Sequence, residues 1–429
     1  MPSSPARIVI VGGGFAGLAA ARRVERDSRP ERVSLTLLND TNYMTYTPFL
    51  PQAAAGTLEP RHVVVPLRQA LHRTHVRVGR VHGADYAART VRFGSEAGGE
   101  IEIGYDQLVL APGSSPRTAP IPGLTDAAVG FATLADAVWL RNHVLRQLEI
   151  ADVTSDPDER RRHLTVVFVG GGYAGVEALA EIEDLTRVAL RLYPALRDER
   201  LRWVLIEATD AIFPEVGTRL AAYAMRELVA RGVELRLGTT VAEATREAIT
   251  LSTGERVPCA TLVWTAGVRP APIVRRLGLP LDARTRIRVD ATMAVEGLDG
   301  VWAVGDAAAV PDPARPGLAC PPTSQHAVRQ GRSVGQNVLR ALAGQRAEPF
   351  RYRTVGLFVD LGRGKAVASV FGIQFKGFPA WFLGRTYHLS HVPGVLRKGR
   401  IAADWAVGLV FRRDVAELGT LGHPEARDR

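Results

Sequence analysis

The residues best suited to chemistry in this chain are two sets of glycines. Gly12, Gly14 and Gly17 stand in IVIVGGGFAGLAAAR (residues 8–22), and Gly170, Gly172 and Gly175 in VVFVGGGYAGVEALA (residues 166–180). Each set has the G-x-G-x-x-G spacing, between an apolar β-like run and an Ala/Leu-rich helix former. The first glycine permits a tight turn, the second lets the backbone approach a pyrophosphate, and the third lets the helix pack closely on the strand. The phosphates then meet free N–H groups and the positive end of the helix dipole. One such motif is a weak signal, because glycine-rich turns are common. Two, both correctly flanked, predict two dinucleotides in one chain and electron transfer between them.

A dinucleotide site of this kind places an acidic residue at the end of the next strand, on a ribose hydroxyl. After the second set, Trp203–Ile206 reads as that strand and Glu207 ends it. A carboxylate there favours the free 2′-hydroxyl of NADH and repels the 2′-phosphate of NADPH. After the first set the strand is Val33–Leu38, but Asn39 holds the expected position and Asp40 follows. Asn39 can still hydrogen-bond a hydroxyl.

The elements that must position these residues alternate between strand and helix signals. Ile8–Val11 and Val166–Val169 are short, β-branched and apolar, as expected of strands buried on both faces. LVLAPGS (Leu108–Ser114) and LVWTAGVRP (Leu262–Pro270) each read as a strand followed by a loop. GVWAVGD (Gly300–Asp306) is a buried strand ending in Gly-Asp. Its aspartate can bond a ligand hydroxyl, or cap a helix starting at Ala307. A polar stretch, Asp152–His163, leads into the second glycine set.

The balance of 54 Lys+Arg against 44 Asp+Glu gives a net charge of +10. No nucleic-acid-binding motif accompanies it, so the expected partners exclude nucleic acid. Only Cys259 and Cys320 are present, without C-x-x-C spacing. A disulfide framework, an iron–sulfur cluster and a thiol–disulfide relay lack their ligands, no metal is expected, and a reducing cytoplasmic compartment fits. The charged run Arg22–Asp27 argues against a signal peptide. No run reaches about 18 apolar residues, so a spanning helix is not expected.

The order of G-x-G-x-x-G, LVLAPGS, a second G-x-G-x-x-G, TAG and VGD resembles the two-dinucleotide-domain flavoproteins, which share the fold of the pyridine-nucleotide disulfide reductases. The likeness covers roughly residues 6–340. It implies an α/β, glutathione-reductase-like fold of two Rossmann-like domains, with FAD in the first and NADH in the second, stacked at the flavin. It places Ala111, Gly113, Gly267, Gly305 and Asp306 at the cofactors, with Asp306 at the ribityl chain or pyrophosphate. Pro112 stands where the pattern has Thr. The expected domains are 1–125 with 285–345 for FAD, 160–275 for NADH, and 346–429 as an interface or membrane-association region.

Within that group a disulfide reductase needs a cysteine pair soon after the first motif, and none is present. A sulfide:quinone oxidoreductase also needs flavin-side cysteines, and Cys259 and Cys320 read instead as small buried residues. NYMTYTPFLPQAAAGTLEPRHVVVPLR (Asn42–Arg68) is similar to type II NADH dehydrogenases, single-subunit NADH:quinone oxidoreductases of membranes. The resemblance puts Pro48 by the flavin and Gly56 in a turn. GVEALAEI, with Glu177, resembles their second motif. PPTSQHAVRQG (Pro321–Gly331) is similar to their quinone-site helix, with Ser324, Gln325 and Ala327 matching and Arg329 replacing a Gln. It implies that Glu177 orients substrate or helps supply protons and that the quinone head lies beside Gln325 and Ser324.

Residues 376–413 hold Phe378, Trp381, Phe382, Tyr387, Trp405 and Phe411, with seven Lys/Arg against one acid, Asp404. Ile401, Trp405, Gly408 and Leu409 share a helical face by spacing. Aromatics favour the membrane–water boundary and bases favour anionic headgroups. This predicts an amphipathic helical segment on the cytoplasmic leaflet, a peripheral location and a surface compatible with a homodimer. Two other readings stay open: a soluble NADH-dependent flavin reductase with a protein acceptor such as a ferredoxin, and a nucleotide-binding sensor with little turnover.

Overall fold

A computed structural model describes residues 4–94, 98–352 and 356–419. The chain divides into two compact units. One comprises Met1–Tyr46, Val64–Ser115 and Val268–Thr354. The other comprises Thr47–Val63, Pro116–Gly267 and Val355–Arg429.

The two units use the same plan. In the first, the strands run Val301–Ala303, Gln107–Leu110, Ala6–Val11, Val33–Asn39 and His75–Val78 across one sheet, all parallel. In the second, the order is Val129–Gly130, Thr261–Trp264, Thr165–Val169, Arg202–Ile206 and Val233–Arg236, again all parallel. The middle strand of each sheet is the apolar run before a glycine set. Ile8, Ile10, Val167 and Phe168 are wholly buried, as strands covered on both faces require.

Each glycine set thus leaves the carboxyl end of a central strand, where ligands of open parallel sheets bind. Each unit also carries an antiparallel three-stranded sheet: Arg80–Asp85 with Thr90–Gly94 and Glu100–Gly104, and Val241–Ala244 with Ala248–Leu251 and Arg256–Pro258.

The second unit adds a third sheet, Gly356–Asp360, Ala366–Val370 and Ile373–Lys376, then the helices Phe378–His391 and Val395–Val410. None of the described helices is long and apolar enough to cross a membrane. The charged stretch before the second glycine set contains a helix, Pro157–His163, because Asp156 caps it by accepting from the N–H groups of Asp158 and Glu159.

Candidate functional site

The first glycine loop is held by contacts that no side chain could share. Gly12 has φ of 97°, and a Cβ on it would lie 2.1 Å from the Ala111 carbonyl oxygen. A Cβ on Gly17 would lie 1.8 Å from the Gly12 oxygen, so the helix Phe15–Asp27 can approach the strand only with glycine there. A Cβ on Gly14 would meet no described atom beyond its own stretch of chain within 4 Å, and no side chain caps the helix that it starts. The first-turn N–H groups therefore remain for a ligand.

The second loop repeats this. Gly170 has φ of 113°, and its Cβ would lie 2.8 Å from the Thr265 carbonyl carbon. Gly175 would meet the Gly170 oxygen and Thr265 Oγ1, each at 2.4 Å. Gly172 is open and leaves the helix Tyr173–Ala189 without a side-chain cap.

Asn39 and Glu207 occupy equivalent places. Asn39 Oδ1 accepts from the Gly13 N–H at 2.7 Å, and its Nδ2 donates to the Thr41 oxygen. Glu207 Oε2 accepts from the Gly171 N–H at 2.6 Å, while Oε1 accepts from the Thr209 N–H and hydroxyl, each at 2.9 Å. Asparagine therefore does in the first loop the bracing that the carboxylate does in the second. Asp40, next along, is exposed. Pro48 is half-buried in the turn Thr47–Phe49 and belongs to the unit of the second loop. Gly113 and Gly267 have φ of 71° and 92°, with open space where a side chain would stand.

Asp306 departs from the capping alternative. Gly305–Ala307 is a single 3-10 turn without a side-chain cap, and the chain from Ala308 is extended, so no helix starts at Ala307. The carboxylate instead accepts from the Ser114 hydroxyl at 2.7 Å, and burial raises its pKa. The Gly305 N–H donates to Gln330 Oε1 at 2.8 Å. Gln330 thus ties this turn to the helix Ser324–Leu342.

That helix starts at Thr323, whose hydroxyl accepts from the His326 N–H. Ser324 is half-buried at its first position and Ala327 is buried one turn in. Gln325 Oε1 accepts from the Tyr352 hydroxyl at 2.8 Å. The Arg329 guanidinium lies over the Tyr352 ring, 4.5 Å from its centre, and donates to the Gln325 carbonyl. Tyr352 therefore orients both residues, and nothing in the sequence around it marked that role.

Glu177 stands in the other unit, five residues into the helix Tyr173–Ala189. Its Oε1 accepts from the Asp360 N–H at 2.9 Å. Burial, aided by the Asp360 and Glu181 charges, pushes its pKa well above the ordinary carboxylate range. A helix-dipole carboxylate would shift the other way.

The C-terminal helices differ from their periodicity. Ile401 is wholly buried and Trp405 donates to Gln52 Oε1 at 2.8 Å, but Leu409 is 83% exposed. Four-residue steps drift about 40° each in a helix, so Leu409 has turned away from the packed face. Three of the seven bases also point inward. Arg385 lies over the Trp381 and Trp405 rings, Arg397 donates to the Arg61 carbonyl, and Arg413 pairs with Glu181 at 3.3 Å. Lys376, Arg400 and Arg412 are exposed, alongside Phe378, Phe382, Val395, Leu396, Val407, Val410 and Phe411.

Cys259 and Cys320 are buried in different units, and burial raises their thiols to about 12 and about 11. Neither is poised as a thiolate. Among the described residues no group of His, Cys, Asp and Glu could hold a metal.

A match to the pyridine nucleotide-disulphide oxidoreductase family spans residues 6–331. The type II NADH:quinone oxidoreductase Ndh of Mycobacterium tuberculosis is 30% identical over 95% of this chain and 89% of its own. The demethylphylloquinone reductase NdbB of Synechocystis is 30% identical over 94% of this chain and 96% of its own. The solved structure of NDH2 from Plasmodium falciparum in complex with NADH matches with a TM-score of 0.87 at 15% identity, over 96% of this chain and 99% of that one. The two glycine loops, the lack of a cysteine pair and these likenesses together show that the chain belongs to the pyridine nucleotide-disulphide oxidoreductases and, within them, to the type II NADH:quinone oxidoreductases.

Proposed function

We propose that this protein takes hydride from NADH onto FAD and passes two electrons to a quinone at a membrane surface, without pumping protons. The observation that carries this is the pair of uncapped, glycine-started helices, each open to a ligand and each at the carboxyl end of a central parallel strand. The Mycobacterium tuberculosis and Synechocystis relatives are named as quinone reductases, and this chain spans nearly their full length.

The residues present fit both nucleotides. Gly12, Gly14 and Gly17 would hold the FAD pyrophosphate, with Asn39 bracing the loop and Asp40 beside it. Asp306, fixed by Ser114, would take a ribityl hydroxyl, and Ala111, Gly113, Gly305 and Ala327 would line the cofactor. Gly170, Gly172, Gly175 and Gly267 would hold NADH, with Glu207 on its ribose. Bound FAD supplies an acceptor for the hydride and a donor for the quinone.

Hydride transfer requires no general base, so the protein's part in that step is position and electrostatics. Reduction of a quinone by NADH consumes one proton from solvent for each quinol formed. Glu177, whose pKa burial raises well above the ordinary carboxylate range, would hold that proton. Gln325 and Ser324 would bond the quinone head, with Gln325 oriented by Tyr352.

The exposed apolar residues of the two C-terminal helices would enter the headgroup region, with Lys376, Arg400 and Arg412 on anionic lipid. Each such base contributes about 1 kcal/mol near an anionic surface, so the apolar side chains carry much of the anchoring. The cytoplasmic leaflet is the proposed side, and the same apolar surface would serve a homodimer. Steady-state NADH oxidation with ubiquinone and menaquinone analogues, beside NADPH, tests the assignment. Turnover with a quinone and a preference for NADH support it; turnover only with a protein acceptor would transfer the chain to the soluble-reductase reading.

A further inference from the structure

One face of the first unit gathers cations that neither glycine loop uses. A cleft of about 380 Å³ is lined there by the buried Leu71 and Val76 and the exposed Arg68, His72, His75 and Arg77. These residues come from three consecutive pieces of chain. Arg68 is on the short helix Leu67–Ala70, His72 on the loop that follows, and His75 and Arg77 on the strand His75–Val78. That strand is the last of its sheet. The two-residue period of a strand puts His75 and Arg77 on one face.

The cleft has a fixed frame. The Arg68 guanidinium donates to the Val76 carbonyl at 3.0 Å, which lays it against the strand that carries Arg77. Glu25, on the helix Phe15–Asp27, shapes the loop between them. Its carboxylate accepts from the His72 and Arg73 N–H groups at 3.3 and 2.8 Å and from the Thr74 hydroxyl at 2.6 Å. Both of its oxygens are therefore engaged by the loop. The Arg73 guanidinium donates to the Ser28 carbonyl at 3.1 Å, a second tie between loop and helix.

The cations are not matched. No acid lines the cleft, and among the described residues neither Arg68 nor Arg77 is in an ion pair. Two guanidiniums around one cleft repel each other, and an anion between them removes that repulsion. An arginine fork matches two oxygens of a phosphate. Each imidazole offers at least one ring N–H in either charge state. A single carboxylate fills one fork, whereas a phosphate-bearing group has oxygens enough for both forks and the imidazoles.

The cleft is also apart from the first dinucleotide loop. The loop His72–Thr74 enters the amino end of its strand, while Gly12 leaves the carboxyl end of Ala6–Val11. In a parallel sheet these are opposite ends.

We propose that this cleft binds a phosphate-bearing anion, with Arg68 and Arg77 as the clamp and His72 and His75 as further donors. The chemistry is that of a pyrophosphate or phosphate monoester, whether free in solution or carried on an anionic lipid headgroup. It stands independently of the NADH:quinone reading, because every residue in it lies in one compact unit and none is assigned to a cofactor or quinone.

The test is a calorimetric titration of the full-length, FAD-loaded protein with inorganic pyrophosphate. Excess NAD⁺ occupies the second glycine loop, and about 0.15 M salt screens loose surface charge. The native protein should bind about one equivalent. Arg77→Gln and His72→Gln alter exposed side chains that make no hydrogen bond among the described residues, so both variants should keep the native melting temperature. Each should weaken pyrophosphate binding by about tenfold. Arg29→Gln removes the same charge from an exposed position outside the cleft and should change binding less than about twofold. In a second arm, phosphatidylcholine vesicles carrying phosphatidic acid replace pyrophosphate in a flotation assay. Pyrophosphate binding that both cleft variants weaken assigns a free anion. No pyrophosphate binding, with flotation on phosphatidic acid weakened by both cleft variants but not by Arg29→Gln, assigns the lipid phosphate. If neither probe separates the cleft variants from the native protein, or if Arg29→Gln weakens binding as much as they do, the proposal is overturned.

Discussion

Glu207→Gln tests the nucleotide choice built into the second loop. The carboxylate receives three donors: the Gly171 N–H at 2.6 Å on one oxygen, and the Thr209 N–H and hydroxyl, both at 2.9 Å, on the other. Glutamine has one acceptor oxygen, so its amide N–H₂ must face one set of these donors. A hydrogen bond to a charged group contributes about 1.5–3 kcal/mol, and the half-buried position favours the lower end. NADH binding should weaken by about tenfold as the loop loosens. The variant also removes a negative charge from the ribose position. Two unit charges about 4 Å apart repel by about 4 kcal/mol at an effective dielectric of 20, which solvent and salt at this rim reduce to about 1–2 kcal/mol. The loosened loop weakens both nucleotides alike, but NADPH recovers the removed repulsion, so the preference for NADH should narrow by about 5- to 30-fold. Stopped-flow bleaching of the flavin, run with each nucleotide, measures both. An unchanged NADH:NADPH preference would refute the placing of Glu207 on the ribose.

Other changes separate the parts of the site. Gly175→Ala forces a methyl to 2.4 Å from the Gly170 oxygen and should cost about 1–3 kcal/mol in thermal unfolding, with flavin reduction by NADH lost first. Gln325→Ala frees the Tyr352 hydroxyl and should cut quinone turnover by about 10- to 100-fold, while single-turnover flavin reduction by NADH stays intact; equal loss of both would end the quinone role. Replacing Val395 and Leu396, which are 83% and 84% exposed, by Glu should release the protein from anionic vesicles in a flotation assay without lowering its melting temperature. His388 is held neutral, with its pKa lowered from 6.5 to about 4. The unfolded chain binds that proton first, so stability present above pH 6.5 is lost as pH falls towards 4, by on the order of 2 kcal/mol. Denaturant titrations at pH 7 and pH 5 should show the loss, and His388→Gln should remove His388's share of it.

Much of this arrangement was legible because it is local. The strands of the glycine loops, Glu207 at its strand end and the helix from Ser324 all lie within short windows of pattern and spacing. What lay beyond reach was pairing across the chain. Asn39 read as a departure, yet it braces Gly13 as Glu207 braces Gly171, and only the fold shows that an amide oxygen suffices. Asp306 read as a helix cap or a ligand group, and its partner Ser114 decides against the cap. Arg385, Arg397 and Arg413 counted as surface bases, but each finds an internal partner that no spacing rule brings to it. Asp360 stood in no motif, and the bond from its N–H to Glu177 joins residues far apart in sequence.

The most direct test of the account is a sequential single-turnover experiment on the FAD-loaded protein. NADH is added in the absence of oxygen until the flavin bleaches, and a quinone analogue is then mixed in. The account predicts rapid bleaching with one equivalent of NADH, then full return of the oxidised flavin with one equivalent of quinone. A flavin that NADH bleaches but quinone fails to reoxidise would contradict it.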